Sequence, residues 1–386
     1  MSEKQTDKRR IPLSVPNLRG RELEYVTEAV RTEWVSTAGP YITDFERQIA
    51  DYVKVPEAAA CQSGTAGLHL ALRVLGVKPG DEVIVPTLTF IAAVNPVRYL
   101  GADPVFMDCD DTLTMDPKKL RAFCETECDF QNGILTDRQS GKRVSAIVVV
   151  HIFGNLADME AVIDIASRYH LKVLEDATEA LGSYYLSGRY QGKYAGTVGD
   201  LGVYSFNGNK IITTGGGGMI VSQDPELVKR CRFLSTQAKK DIVYFVHEEI
   251  GYNYRMTNLQ AALGLAQLEQ LEGFIRVKQE NYDAYQEEKI PLLPFRSDIR
   301  SNHWFYSYLA EDRDGLIRFL DEHGVQSRPV WQLIHTLLPY LKNRCFQIEK
   351  ADWYYDRIVN LPCSTSLSRE EVTQVAALIR QFEMRQ

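Results

Sequence analysis

The feature that most constrains the fold is an alternation running to about residue 222, in which short β-rich stretches are separated by longer stretches of helical periodicity. Strands joined through a helix run parallel, and a parallel sheet needs helices on both faces. The expected strands are Glu82–Val85, Pro104–Met107, Ser145–Val150, Lys172–Leu174, Gly202–Phe206 and Gly218–Val221. Their Val and Ile content, with little polar alternation, suits strands buried on both faces. The fold class is therefore α/β, a mostly parallel sheet sandwiched by helices. At 386 residues the chain exceeds one small core and suits a large α/β domain with a smaller one after it.

Thr43-Asp44-Phe45-Glu46 has the spacing of a capping box, and Phe45, Ile49 and Tyr52 share one helical face. Between Leu120 and Arg143 the chain is polar and broken by glycines, which predicts an exposed, mobile excursion. Leu259, Leu263, Ala266 and Leu271 recur near helical spacing with no proline, which predicts one long linking helix from Thr257 to about Glu287. Beyond Pro291 come short strands (Trp304–Leu309, Val325–Arg328) and amphipathic helices (Asp314–His323, Arg369–Phe382). The expected division is 1–255 for the large domain with an N-terminal arm, and 256–386 for the linking helix and small C-terminal α/β domain.

Composition removes several functional classes. With 45% hydrophobic and 25% charged residues the chain is that of an ordinary globular protein. No apolar run reaches the roughly 18 residues of a membrane span. No apolar stretch backs the charges of Met1–Arg10, so a cytoplasmic location is expected. A net charge of −7 disfavours nucleic acid, and Lys8-Arg9-Arg10 reads as a solvated terminus. The seven cysteines form no paired framework and read as reduced thiols. Cys124 and Cys128 lack the second pair of a zinc site, and no metal is called for.

Three segments carry chemistry. Ser63-Gly64-Thr65-Ala66-Gly67 opens an apolar helix, where free N–H groups and the helix dipole favour an anion; the same turn also reads as an ordinary N-cap. Asp176 follows the strand Lys172–Leu174 and so lies at the carboxyl ends of the sheet, where α/β proteins bind ligands; it also reads as a helix cap. Lys210 closes Tyr204-Ser205-Phe206-Asn207-Gly208-Asn209-Lys210, four residues past a strand, and alone would be a solvated lysine. Gly215–Gly218 then either admits a close backbone approach or forms a flexible turn. Together these segments point to one cofactor, pyridoxal 5'-phosphate. It requires an amine for a Schiff base and a carboxylate beside its protonated ring nitrogen.

Glu175-Asp176-Ala177-Thr178-Glu179-Ala180, then Ser205-Phe206-Asn207-Gly208-Asn209-Lys210, then the glycine run, resemble the DegT/StrS-type nucleotide-sugar aminotransferases from about Ile11 onward. The resemblance implies the aspartate-aminotransferase fold (fold type I). It also implies that Lys210 forms the internal aldimine, that Asp176 partners the ring nitrogen, and that Gly64, Thr65 and Ser205 cradle the phosphate. Phe90, in Pro86-Thr87-Leu88-Thr89-Phe90-Ile91-Ala92, matches the aromatic stacked on the ring, though it also reads as a core phenylalanine. Asn253 matches a residue that reaches the phosphate from the neighbouring subunit, which implies a homodimer with shared active sites. The run Arg328-Pro329-Val330-Trp331 followed by His335 resembles the family's substrate-side segment; for Arg328 and His335 a structural role fits equally.

Two residues depart from the pattern: Glu179 replaces a common glutamine near the cofactor's phenolic oxygen, and Asn207 replaces a common histidine. An ionised Glu179 beside a phenolate is repelled, so it must be protonated, turned away or hydrogen-bonded elsewhere. The run from Tyr204 to Thr214 is most similar to enzymes that aminate C4 of UDP-linked 4-keto-6-deoxy N-acetyl sugars for bacillosamine and legionaminic acid, with L-glutamate as donor. Other readings are an enzyme for GDP-4-keto-6-deoxymannose or an eight-carbon keto-sugar acid, and a non-catalytic ligand binder. Related dehydratases carry histidine where this chain has Lys210, so lysine favours amino transfer.

Overall fold

A computed structural model describes residues 10–241 and 243–385, so Lys8 and Arg9 of the basic run lie outside the described residues. All six expected strands are present, each within two residues of its expected ends. In chain order the main sheet contains β1 (Glu57–Cys61), β2 (Glu82–Pro86), β3 (Asp103–Met107), β4 (Cys128–Gln131), β5 (Ile134–Asp137), β6 (Arg143–Val150), β7 (Lys172–Asp176), β8 (Leu201–Ser205) and β9 (Gly218–Ser222). A tenth strand, Cys345–Phe346, comes from the C-terminal part and lies parallel to β3. The order is β1-β9-β8-β7-β6-β2-β3 and then Cys345–Phe346, with β4 and β5 attached off β6. From β8 to the Cys345–Phe346 edge the strands of this path are parallel; β9 alone runs antiparallel, so β1, antiparallel to β9, points the same way as the rest.

The parallel strands are nearly continuous runs of buried residues: Val83, Ile84 and Val85 in β2, Ala146 to Val150 in β6. Alternate side chains feed two hydrophobic layers, one containing Ile84, Ile147 and Val149, the other Val83, Val85 and Val148. The first layer continues without a break into Trp304, Tyr306, Val359 and Ile379 of the C-terminal part. There Tyr306–Leu309, Ile358–Leu361 and Arg328–Pro329 form a small antiparallel sheet. The chain also crosses the 255/256 line through Ile11, which bridges Val325.

Four local expectations are corrected. The helix that carries Phe45, Ile49 and Tyr52 is Pro40–Val53, so Thr43 lies inside it; Pro40 at its first turn sets the start. The polar excursion at 120–143 completes the helix Pro117–Thr126 and then folds into the hairpin β4–β5, whose Leu135 pairs with Val144 of β6. The long linking helix is two, Asn258–Leu268 and Leu271–Glu287, broken at Glu269–Gln270. The first packs on the helices Glu22–Arg31 and Pro40–Val53, the second on Arg369–Glu383, so one straight rod could not serve both. The small-sheet strand expected at Val325–Arg328 begins at Arg328, because Val325 pairs with Ile11.

Candidate active site

Asp176 ends β7 and Ser205 ends β8, so the parallel sheet delivers both to the same edge. A cavity of about 280 Å³ opens there, and Gly64, Thr65, Phe90, Asp176, Glu179, Ser205 and Lys210 all line it. The remaining three candidates lie outside it. Asn253 is exposed and bridges Thr236. His335 meets Thr87 Oγ1 through Nδ1 at 2.7 Å. Arg328 lines an adjoining cavity of about 230 Å³ that shares Asn209 and Trp331 with the first.

Ser63 caps the helix Gly64–Val74, its Oγ accepting the Ala66 N–H at 3.1 Å. The cap and the anion site are compatible, since first-turn N–H groups have no intrahelical acceptor. A Cβ on Gly64 would sit 2.9 Å from Ser205 Cβ and 3.2 Å from Ser205 Oγ, so glycine there keeps the hydroxyl and the helix start around one open cradle. Gly218 has a related purpose: a Cβ would stand 2.7 Å from the Ser63 carbonyl oxygen, so β9 can run beneath the helix only without one. Gly215, at φ +75°, makes the turn into this strand. Both readings of the glycine run are thus realised at different residues.

Asp176 is buried, its Oδ1 accepting the Thr178 N–H at 3.1 Å. Burial raises its pKa, against the Thr178 hydrogen bonds and the nearby Lys210 and His151. A desolvated carboxylate at a cavity wall is electrostatically matched to a cationic ring nitrogen. Beneath it, His151 and Glu175 pair at 2.7 Å between Nε2 and Oε2, both fully buried. The Ala157 N–H donates to His151 Nδ1, so the Nε2 proton faces Glu175. Glu175 also accepts from the N–H groups of Gly196, Val198 and Gly199, and the His151 backbone N–H donates to the Asp176 carbonyl oxygen at 3.0 Å.

Glu179 is hydrogen-bonded elsewhere, as one of the three expected resolutions requires. Its Oε2 accepts the Phe153 N–H at 2.8 Å, and its Oε1 lies 3.7 Å from Lys210 Nζ. Phe153 presents that N–H from a left-handed conformation, φ +56°. Burial pushes the Glu179 carboxyl up to about 7, against the pull of Lys210 and the Phe153 hydrogen bond, with Asp176 adding to the rise.

Lys210 is held, not solvated: its side chain is 12% exposed and Nζ lies 4.2 Å from the centroid of the Trp304 ring. Trp304 Nε1 donates to the Asn209 carbonyl at 2.8 Å and so fixes the loop that carries the lysine. Trp304, Trp331 and Asn209 are cavity residues that the motifs did not single out as ligands; the C-terminal part brings both indoles to the site. Phe90 is 50% exposed, which removes the core reading, and its ring centroid lies 5.9 Å from that of Trp331.

The cavity fits pyridoxal phosphate on these grounds: an anion cradle that a Cβ would fill, a buried carboxylate on one wall, an exposed aromatic face and an amine reaching in. Comparison with known proteins agrees. The chain is 39% identical over 383 residues to a GDP-perosamine synthase of Escherichia coli O157:H7, covering 96% of this chain and 98% of that protein. It is 38% identical over 389 residues to a GDP-perosamine synthase of Caulobacter vibrioides, covering 97% and 99%. The PLP form of a sugar aminotransferase, Spr1654 of Streptococcus pneumoniae, superposes with a TM-score of 0.87 at 25% identity, over 97% of this chain and 99% of that one. The profile of the DegT/DnrJ/EryC1/StrS aminotransferase family matches residues 16–380, and the chain belongs to that family as a pyridoxal phosphate-dependent sugar aminotransferase.

Proposed function

We propose that the chain moves the amino group of L-glutamate to the C4 keto group of a nucleotide-linked 4-keto-6-deoxy sugar, with Lys210 as its catalytic residue. The observation that carries this reading is the meeting of Lys210, Asp176, Ser205 and the Gly64–Thr65 helix start in one cavity. There Gly64, Thr65 and Ser205 would hold the phosphate, Phe90 would stack on the ring, Asp176 would partner the ring nitrogen and Glu179 would stand near the phenolic oxygen. Asn253 completes the phosphate site of a neighbouring copy in a homodimer. Residues 1–255 carry the cofactor, and 256–386 bring Trp304, Trp331 and the substrate side to it. No helix among the described residues is long and apolar enough to cross a membrane, in keeping with work in the cytoplasm.

When bound, the cofactor supplies an electron sink for the charge that develops beside the transferred nitrogen. Lys210 Nζ, on a flexible stem at the cavity wall, takes and returns the proton at that carbon; such general acid–base catalysis is worth roughly 10²–10⁴. Glu179, with a carboxyl poised at about 7 and an oxygen 3.7 Å from Nζ, holds or releases a proton beside it. Trp304 and Trp331 narrow the space around Nζ and limit water. The adjoining cavity at Arg328 leaves room for the nucleotide-bearing end, and His335 steadies Thr87 behind Phe90.

On the nucleotide, the run around Lys210 resembles UDP-sugar enzymes, whereas two relatives matched over nearly their whole length are named GDP-perosamine synthases. We therefore rank GDP-4-keto-6-deoxymannose first and the UDP-linked N-acetyl sugar second. The test offers each sugar to the holoenzyme with L-glutamate and measures kcat/KM. A preference of tenfold or more for the GDP sugar is expected; the reverse preference moves the reading to the UDP class, and no amination of either sinks it.

A further inference from the structure

Lys278 is a buried charged group that the proposed reaction leaves unused. It lies on the helix Leu271–Glu287, is 3% exposed, and has no carboxylate within ion-pair distance among the described residues. Burial pulls its pKa down, as it does for an ammonium that has lost water without gaining an anion. An unbranched apolar side chain of that length would avoid this penalty, so packing alone does not call for a lysine.

Its Nζ donates to two backbone carbonyls, that of Cys363 at 2.6 Å and that of Trp304 at 2.9 Å. The small sheet pairs Tyr306 with Leu361, and Pro362 beyond it has no N–H with which to extend the ladder. The carbonyls just past the ladder take their donor from the helix instead. At the Trp304 oxygen the other donor is the Cys363 thiol at 3.4 Å, a weak one. Trp304 is fixed at two further points: its backbone N–H donates to Asn302 Oδ1 at 3.1 Å and its indole N–H to the Asn209 carbonyl at 2.8 Å. Asn302 Nδ2 in turn donates to the Glu179 carbonyl at 2.9 Å. One frame thus holds both groups that flank Lys210 Nζ, the indole face at 4.2 Å and the Glu179 carboxyl at 3.7 Å.

We infer that Lys278 is a positioning residue for the amino transfer: it anchors the Trp304 carbonyl, and through Trp304 keeps the indole face against the Lys210 ammonium whenever that amine is not bonded to the cofactor. A π face attracts a cation, and the contact is worth more where water is excluded, as at Trp304, which is 1% exposed. Held there, Nζ is kept at the cavity wall where the proton is to be moved. Loss of the Lys278 bond leaves the Trp304 carbonyl with the thiol alone and frees the indole to tilt away from Nζ. The inference rests on Lys210 being the amine of the proposed reaction; its test is made first on the chain without cofactor, so that the two can fail separately.

The cofactor-free full chain is acetylated with limiting acetic anhydride, and modification of Lys210 is read by peptide mass spectrometry against that of the exposed Lys342. Trp304→Leu should speed Lys210 acetylation roughly threefold or more, the size of a lost cation–π contact. Lys278→Met should speed it comparably, and adding Lys278→Met to Trp304→Leu should change little further. Lys278→Gln, which keeps a donor, should fall between wild type and Lys278→Met, and it carries the test if Lys278→Met does not fold. A Lys278 that serves stability alone lowers Tm and leaves Lys210 acetylation at the wild-type rate; that result overturns the inference. Effects of the two substitutions that multiply in the double variant overturn action through Trp304. In the holoenzyme, L-glutamate alone should discharge the visible absorption about tenfold more slowly in Lys278→Met, within what misplacing a catalytic group costs; a wild-type rate there overturns the positioning role. Cofactor attached to another lysine would sink the proposed reaction and leave the acetylation result standing.

Discussion

Replacing Glu179 by glutamine keeps the shape and the acceptor for the Phe153 N–H but removes a titratable group from the cavity wall. Folding raises the Glu179 pKa from 4.5 to about 7, chiefly by burial, so the folded protein binds a proton there that the unfolded chain has released. The sign follows: the contribution to stability is fully present below pH 4.5, is lost as the pH rises through 7, and is absent above. The gap between the two values corresponds to about 3 kcal/mol. At roughly 2.1 cal/mol/K per residue of unfolding entropy, 386 residues convert that to about 4 °C in Tm. Thermal unfolding of cofactor-free wild type and Glu179→Gln, followed by circular dichroism from pH 4.5 to 8, should show two diverging curves. The variant gains about 4 °C on wild type across that range. Curves that stay parallel to within 1 °C would refute a buried, proton-binding Glu179.

Gly64→Ala places a Cβ 2.9 Å from Ser205 Cβ. Overpacking of about 1–3 kcal/mol should weaken cofactor retention roughly 5- to 150-fold in equilibrium dialysis, with the fold intact by circular dichroism; wild-type retention would contradict the cradle. Asp176→Asn removes the buried charge without changing volume, and turnover should fall on the order of 10²-fold or more while the protein stays folded; activity within threefold of wild type would exclude the ring-nitrogen role. Trp304→Phe loses the 2.8 Å bond to the Asn209 carbonyl, worth about 1 kcal/mol. Faster exchange of the backbone amides at 207–212, measured by hydrogen–deuterium exchange, is expected; unchanged exchange would mean the indole does not hold the lysine loop.

The parallel strands were legible because a strand buried on both faces must be apolar throughout, and Val83 to Val85 and Ala146 to Val150 are. β1 was not, since Glu57-Ala58-Ala59-Ala60-Cys61 lacks the β-branched residues that mark a strand; its alanines are set by close packing against the neighbouring helices. Burial of Leu135 and Asp137 turned a polar, glycine-broken stretch into a hairpin that local composition could not announce. At the site, Lys210, Asp176, Ser205 and Gly64 could be found because strand ends place chemistry at the sheet's edge. Trp304 could not, because it is distant in sequence and is brought in by the C-terminal part, and Trp331 stood only within the run that resembles the substrate side. Glu179 was legible as a problem; its solution needed the left-handed Phe153 and its free N–H.

Attachment of the cofactor at Lys210 is tested most directly by reducing the holoenzyme with borohydride and mapping the modified peptide by mass spectrometry. The modification should fall on Lys210, and Lys210→Ala should lose both the label and the visible absorption of the bound cofactor. Label on another lysine, such as the buried Lys278, or an unchanged visible spectrum in Lys210→Ala, would contradict the assignment.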